Sequence, residues 1–193
     1  YERRLQDVLE YYKRYFSAMQ TLGATVFVLH GNKGPIQAEL YAERFAMLAE
    51  LGKTFGVVVA QENVARCTSR SLDFLLQMQK LLGNDAKFVL DIKQAVRSNE
   101  NPMQMLQKLG SHIVHVHLSD HGEYGDCLPV GTGRFDVRTF LQTLSTCSPD
   151  CSVILELYRS SFNNVQDLVN NYLVIQHMLA PGSANKTDSI PIR

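Results

Sequence analysis

The sequence predicts an α/β fold of the (β/α)8 barrel type, present as a partial barrel of about five parallel strands with surrounding helices. Three observations carry this expectation. Amphipathic helical stretches alternate with short apolar or β-branched runs, a pattern that calls for a parallel sheet covered by right-handed crossover helices. The apolar runs end, one after another, in His30, Glu62, Asp91, His117 and Glu156, and the C-terminal ends of the strands are where a (β/α) barrel assembles its active site. No run is followed by a GxGxxG turn, since Gly131-Thr132-Gly133 lacks the third glycine and the position, which disfavours an open dinucleotide-binding sheet.

Each element has its own warrant. Residues 1–22 place Leu5, Val8, Leu9, Tyr12, Phe16, Met19 and Leu22 on one helical stripe, and Gly23 closes the helix. Ala24 to His30 is a continuous apolar run of the kind buried on both faces. A helix over 36–51 stops at Gly52, and a β-branched strand over 56–63 ends in Glu62-Asn63. A helix over 69–82, with Leu72, Leu75, Met78 and Leu82 inward, stops at Gly83 before the strand Lys87 to Asp91. Asn101-Pro102 supplies an N-cap and a first-turn proline for a short helix that reaches Leu109-Gly110. The next strand lies in His112 to His121, where His115 and His117 share a face opposite Val114 and Val116. A loop with Pro129 and Gly131-Thr132-Gly133 leads to a helix from about Asp136, and Val153 to Glu156 makes the fifth strand. The last helix, 163–179, carries Val165, Leu168, Val169, Tyr172, Ile175 and Leu179 in register. One domain over 1–180 and a flexible tail over 181–193 are expected.

Composition narrows the class of function. Lys plus Arg and Asp plus Glu both number 19 among 193 residues, so no single-sign field favours nucleic acid. Cys67, Cys127, Cys147 and Cys151 fall at no zinc-finger or redox spacing, as expected of reduced thiols in a cytoplasmic protein. No apolar run approaches the ~20 residues of a membrane span, and no charged-then-apolar leader opens the chain.

Imidazole supplies both metal ligation and proton transfer near neutral pH, so a histidine-rich strand draws attention to its end. His117 is the candidate ligand there; His115 is expected deeper in the barrel, as packing or support for the ligand. Taken singly, each strand-end acid could cap a helix or face solvent. Taken together, Glu62, Asp91, His117 and Glu156 form an oxygen-rich set suited to one divalent ion, Mn²⁺, Mg²⁺ or Co²⁺, with Zn²⁺ also accommodated.

The motifs Gln61-Glu62-Asn63, Leu90-Asp91, His115-Val-His117-Leu-Ser-Asp120, Pro129-Val-Gly131-Thr-Gly133-Arg-Phe-Asp136 and Leu155-Glu156 resemble those of the xylose-isomerase-like TIM barrels. These include ketose 3-epimerases, sugar phosphate isomerases, inosose dehydratases and the endonuclease IV group. The resemblance extends to about residue 180. It implies that Glu62, Asp91, His117 and Glu156 hold the metal and that Glu62 and Glu156 are the acid/base pair. The implied activity is a metal-dependent isomerase or epimerase acting on a sugar or sugar phosphate by proton transfer through an enediolate. His30 matches a loop histidine near the substrate or a second metal, and Gln94, Asp120 and His121 are expected to touch the sugar.

Departures stand out in single residues and in length. The family commonly carries His three residues after the strand-end Asp, where Gln94 stands here; an amide binds a hydroxyl but exchanges no proton. Asp126-Cys127 occupies the neighbourhood where the endonuclease IV group has Asp-x-His, which, with zero net charge, disfavours that group's multi-zinc hydrolysis as the alternative. A full barrel has eight units in about 250 residues, so the first three units are expected to be missing from this chain, whose opening at Tyr1 suits a fragment. Five strands would then leave open edges. A homo-oligomer, or association with the absent N-terminal part, is expected, as is a non-catalytic barrel fragment if neither forms.

Overall fold

The computed structural model describes residues 2–123 and 125–180; the expected tail, 181–193, lies outside the described residues. Apolar runs with a covering helix on either side of them in sequence become parallel strands. β1 (Val26–Leu29), β2 (Val58–Glu62), β3 (Phe88–Asp91), β4 (Ile113–Leu118) and β7 (Ser152–Leu155) form one sheet. Its order is β1-β2-β3-β4-β7, with every pairing parallel. The fold is a half-barrel, α/β, with the helices on its outer side. A separate two-stranded antiparallel sheet, β5 (Asp120–Gly122) with β6 (Gly125–Leu128), stands beyond the end of β4.

The helices are α1 (Glu2–Leu22), α2 (Ala38–Lys53), α3 (Leu72–Leu82), α4 (Ile92–Arg97), α5 (Pro102–Leu109), α6 (Val137–Cys147) and α7 (Val165–Leu179). Their starts follow the expected chemistry. Ser71, Asn101, Asp136 and Asn164 each accept the backbone N–H three residues on, which satisfies donors that the first helical turn leaves free. Gly52 sits inside the last turn of α2, because a Cβ there would come within 2.8 Å of the carbonyl of Val57. The chain then turns into β2 through Gly56, at φ +70°.

The core lies between the sheet and its outer helices. Phe88 and Leu90 of β3, Met105, Leu106 and Leu109 of α5, Ile113, Val116 and Leu118 of β4, and Phe140 of α6 are all fully buried. Each such side chain contributes about 1.5–3 kcal/mol by leaving water. A register shift between Phe88 and Val89 sets Phe88 against Ile113 but Val89 against His115. This bulge lets Ile113 join the outer core while His115 and His117 both turn inward.

The structure corrects several expectations. α4 has no counterpart in the periodicity, because six residues are fewer than two turns. The β5–β6 hairpin occupies what reads as loop, its strands being too short for alternation to register. α7 is buried on a face rotated from the predicted stripe: Asn171 and Ile175 are buried, while Val165, Val169, Tyr172 and Leu179 are exposed. The buried Asn171 side chain accepts from Val130 N and donates to Val130 O, tying α7 to the loop before α6. In α1, Phe16 is fully buried, but Val8 and Leu22 face outward, so the apolar stripe is narrower than predicted.

Candidate metal centre

Glu62, Asp91, His117 and Glu156 converge, each from the end of a different strand. Each offers one ligand atom, and these atoms lie within 4.8 Å of one another. His117 Nδ1 is 2.9 Å from Glu156 Oε2, 3.4 Å from Glu62 Oε1 and 3.7 Å from Asp91 Oδ2. Yet Glu62 Oε2, Asp91 Oδ2, His117 Nδ1 and Glu156 Oε2 are buried atoms that satisfy no hydrogen bond. Buried polar atoms are almost always paired. Four side chains that each offer a ligand atom within 4.8 Å of the others, three carboxylates and one imidazole, fit a hard divalent cation. It is the one such cluster among the described residues.

Local sequence holds each ligand. Gln61 points to the opposite face of β2 and donates to the carbonyls of Leu29, His30 and Glu62, while accepting from Tyr41. Asn63 donates to Asp91 O at 3.0 Å and accepts from Asp91 N at 2.8 Å. These bonds carry the β2–β3 ladder past its last strand pair and lock Glu62 and Asp91 in register. Ser69 adds a hydroxyl bond to Glu62 O. Asp91 also caps α4, with Oδ1 accepting from Gln94 N, which leaves Oδ2 for the cluster. One oxygen of this strand-end acid thus caps a helix while the other faces the cluster.

Burial and neighbouring charge set the protonation states. Burial opposes charge on His117, but the carboxylates of Asp91, Glu156 and Glu62 outweigh it and push its pKa up to about 11. The His117 imidazole and, after the opposing effect of burial, the Lys93 ammonium pull Glu156 down to about 2. Burial raises Asp91, against the pull of His117 and Lys93. A carboxylate-rich pocket of this kind attracts positive charge, whether proton or metal ion.

Lys93 is the site residue that sequence reasoning missed. Its side chain is 4% exposed, with Nζ 2.9 Å from Glu156 Oε1 and 3.4 Å from Asp91 Oδ2, and it lies over the Tyr158 ring at 5.1 Å. The signal was its place two residues after Asp91, which only an α4 starting there turns into the cluster.

The other predicted site residues are placed as follows. His30 Nε2 is 3.1 Å from Glu62 Oε2 on the solvent side. Gln94 Oε1 accepts from Ala65 N at 2.9 Å, which braces the loop after β2. The buried Asp120 carboxylate accepts the backbone N–H groups of His121, Gly131, Gly133 and Phe135. It therefore acts as the post around which the Gly131–Phe135 loop is wound, and a Cβ at Gly133 would collide with it. His121 packs its ring on Phe135 at 5.3 Å and lines a cleft with Arg134 and Asp136 that includes none of the four ligands. His115 bonds Ser152 Oγ at 2.6 Å and sets its ring edge-on to His117 at 5.2 Å. Asp126 is held by a two-pronged Arg97 pair, and Cys127 donates to the Glu156 carbonyl, so neither joins the ligand cluster. All four cysteines are unpaired with one another.

Comparison with known proteins bears on the fold. An uncharacterized protein of Mycobacterium leprae is 26% identical over 185 residues, covering 80% of this chain and 64% of its own length; the chain thus spans under two thirds of that relative. A D-tagatose 3-epimerase-like protein superposes with a TM-score of 0.72 at 21% identity, over 92% of this chain and 70% of its own. The IOLI protein, solved with a zinc atom, gives a TM-score of 0.70 at 16% identity, over 90% and 70%. The description of the xylose isomerase-like TIM barrel family matches residues 1–175. With nine-tenths of its length accounted for by that match, the chain belongs to the xylose isomerase-like TIM barrel family.

Proposed function

We propose that this chain carries the metal-binding face of a divalent-metal-dependent isomerase or epimerase acting on a sugar or sugar phosphate. The observation that supports it is the set of three carboxylates and one imidazole whose ligand atoms converge within 4.8 Å from four strand ends. The match to a family whose structural relatives include an epimerase-like protein adds weight. A divalent ion held by Glu62, Asp91, His117 and Glu156 would acidify the hydrogen next to a carbonyl and offset the charge left when it departs. Glu62 and Glu156 are the acid and base. Glu156 is 42% exposed and reaches a substrate at the mouth of the half-barrel, whereas Glu62 is 3% exposed, with His30 beside it on the solvent side. Mn²⁺, Mg²⁺ and Co²⁺ suit the oxygen-rich set; Zn²⁺ suits it as well, and the IOLI structure holds that ion.

Calorimetric titration with Mn²⁺ tests the centre: binding should reach one ion per chain and be lost in Glu156→Gln. Washing deuterium into the carbon next to the carbonyl of a panel of ketoses in D₂O tests the chemistry. Unchanged Mn²⁺ affinity in the variant would sink the site. Two or three ions per chain would favour multi-zinc hydrolysis instead. Metal binding without deuterium uptake would point to a non-catalytic fragment.

The proposal extends to a partner. β1 and β7 are sheet edges, and Ile154 of the edge strand β7, two residues before Glu156, is 51% exposed. Unpaired edges invite further strands, supplied by a second copy or by additional β/α units. Sedimentation as a single-chain species would remove the homo-oligomer. No helix among the described residues is long and apolar enough to cross a membrane.

A further inference from the structure

Lys93 poses a problem that the metal centre alone does not answer. A lysine is almost never fully buried unless paired, and desolvating its ammonium is costly. Here the ammonium lies 2.9 Å from one oxygen of Glu156 and 3.4 Å from Oδ2 of Asp91. Both are proposed metal ligands. Lys93 is thus a second cation in a site suited to a first one. Its burial keeps it from serving as a handle for a phosphate or carboxylate on a substrate, because the two carboxylates and the Tyr158 ring already surround it.

Two features of the site give this cation a purpose. The first is charge. Three carboxylates and one ammonium leave the cluster two negative charges, so a divalent ion with neutral His117 makes the loaded centre electrically neutral. Without Lys93 the loaded centre would be an anion, and removing a proton from a sugar beside it would be opposed by like charge. The second is position. Glu62 and Asp91 are locked by Asn63, Gln61 and the start of α4, whereas Glu156 follows an edge strand and is the most exposed ligand. Its Oε1 is held by Lys93, which turns Oε2 toward His117.

Resting on the metal-centre reading above, we infer that Lys93 is a built-in counter-ion of the centre. It pins Glu156 in place as a ligand and holds divalent-ion affinity below what four such ligands would otherwise give. Lys93 is a positioning residue, acting through Glu156 and Asp91.

The test uses the whole chain freed of metal by chelation, with Mn²⁺ as the probe. Lys93→Met should bind Mn²⁺ about tenfold more tightly than the unaltered protein, since a like charge a few ångströms away is gone. Losing the clamp on Glu156 works against this gain, and the inference is that the lost charge outweighs it; a lysine that only positions Glu156 predicts weaker binding instead. In chelator the same variant should melt at a lower temperature, its clustered carboxylates having lost their cation. Lys93→Arg, which keeps the charge, should bring both readings back toward the original. Lys93→Gln serves in place of Met if the latter fails to fold. Mn²⁺ affinity that is unchanged or weaker in a folded, charge-free variant overturns the inference. If the unaltered protein binds no Mn²⁺, the metal-centre reading falls, and an unchanged melting temperature in chelator would then remove the counter-ion role too.

Discussion

β3 and β7 are both four-residue strands of one sheet, and each delivers a carboxylate to the cluster, yet they live in different surroundings. β3 lies mid-sheet and is buried at every residue, and Asp91 is fixed by Asn63 through two backbone bonds and by the start of α4. β7 is an edge strand whose first three residues are exposed. Glu156 keeps its backbone on the ladder through Leu118 O, but its carboxylate depends on Lys93 and His117. An apolar run ending in an acid therefore marks a strand and a member of the cluster equally well in both places. Whether the ligand is pre-set depends on neighbours from elsewhere in the chain.

The largest effect expected from this contrast is on stability. Leu90→Ala empties a fully buried site in the outer core and should cost about 2–5 kcal/mol. Ile154→Ala, at a half-exposed edge position, should cost under about 1 kcal/mol. Urea unfolding measures both. Equal costs would break the contrast. A costly Ile154→Ala whose effect depends on protein concentration would sharpen it, by showing that another chain covers the inner face.

Ligand removal comes next. Asp91→Asn leaves a neutral amide on a rigid mount and should weaken Mn²⁺ binding about 100-fold, roughly 2.7 kcal/mol. Asp126→Asn, at a carboxylate outside the cluster that is bonded to Arg97, should leave Mn²⁺ affinity unchanged. Competition against a fluorescent chelator reads both. Loss in both variants would mean that the cluster is held by the field of the whole mouth rather than by its four ligands.

These differences bear on what the amino-acid sequence reveals. The five strands and the four clustered side chains were legible because a parallel strand concentrates its signal in consecutive residues, and a barrel puts polar residues at their ends. Three things were not. α4 is too short to show a period, so Lys93 read as a loop residue. The buried face of α7 is chosen by Asn171, a polar side chain that pays its way into the core by bonding Val130, so counting apolar residues turned the helix the wrong way. Asp120 reads as a polar group in a motif, and only the folded loop shows four backbone amides closing on its oxygens.

That loop supplies a third, smaller effect. Asp120→Asn replaces an acceptor-only carboxylate with a group that presents N–H to N–H, and should cost about 1–3 kcal/mol. Because Asp120 follows closely on β4, a mid-sheet strand, the loss should appear in global unfolding. A loss confined to faster amide exchange at residues 131–135 would show instead that the loop opens independently of the sheet.

The smallest effect is at the far end of the same loop, where Asp136 accepts from Thr139 N at 3.0 Å and Thr139 Oγ1 at 2.7 Å at the start of α6. Those bonds hold its pKa below the usual carboxylate range. A group whose folded pKa is depressed stabilises the fold above its unfolded pKa, about 3.9, and loses that contribution as pH falls through the folded value. Asp136→Ala should therefore cost about 1 kcal/mol at neutral pH, and the difference from the unaltered protein should shrink as pH drops below about 4. Measured in chelator, that difference cancels the acid response of the four ligands, which both proteins share. Asp136→Asn keeps a neutral cap, so its own stability should lack the Asp136 component of the acid loss. A cost of Asp136→Ala that stays constant down to pH 2 would mean that the cap acts through shape alone and that its charge adds nothing to the helix start.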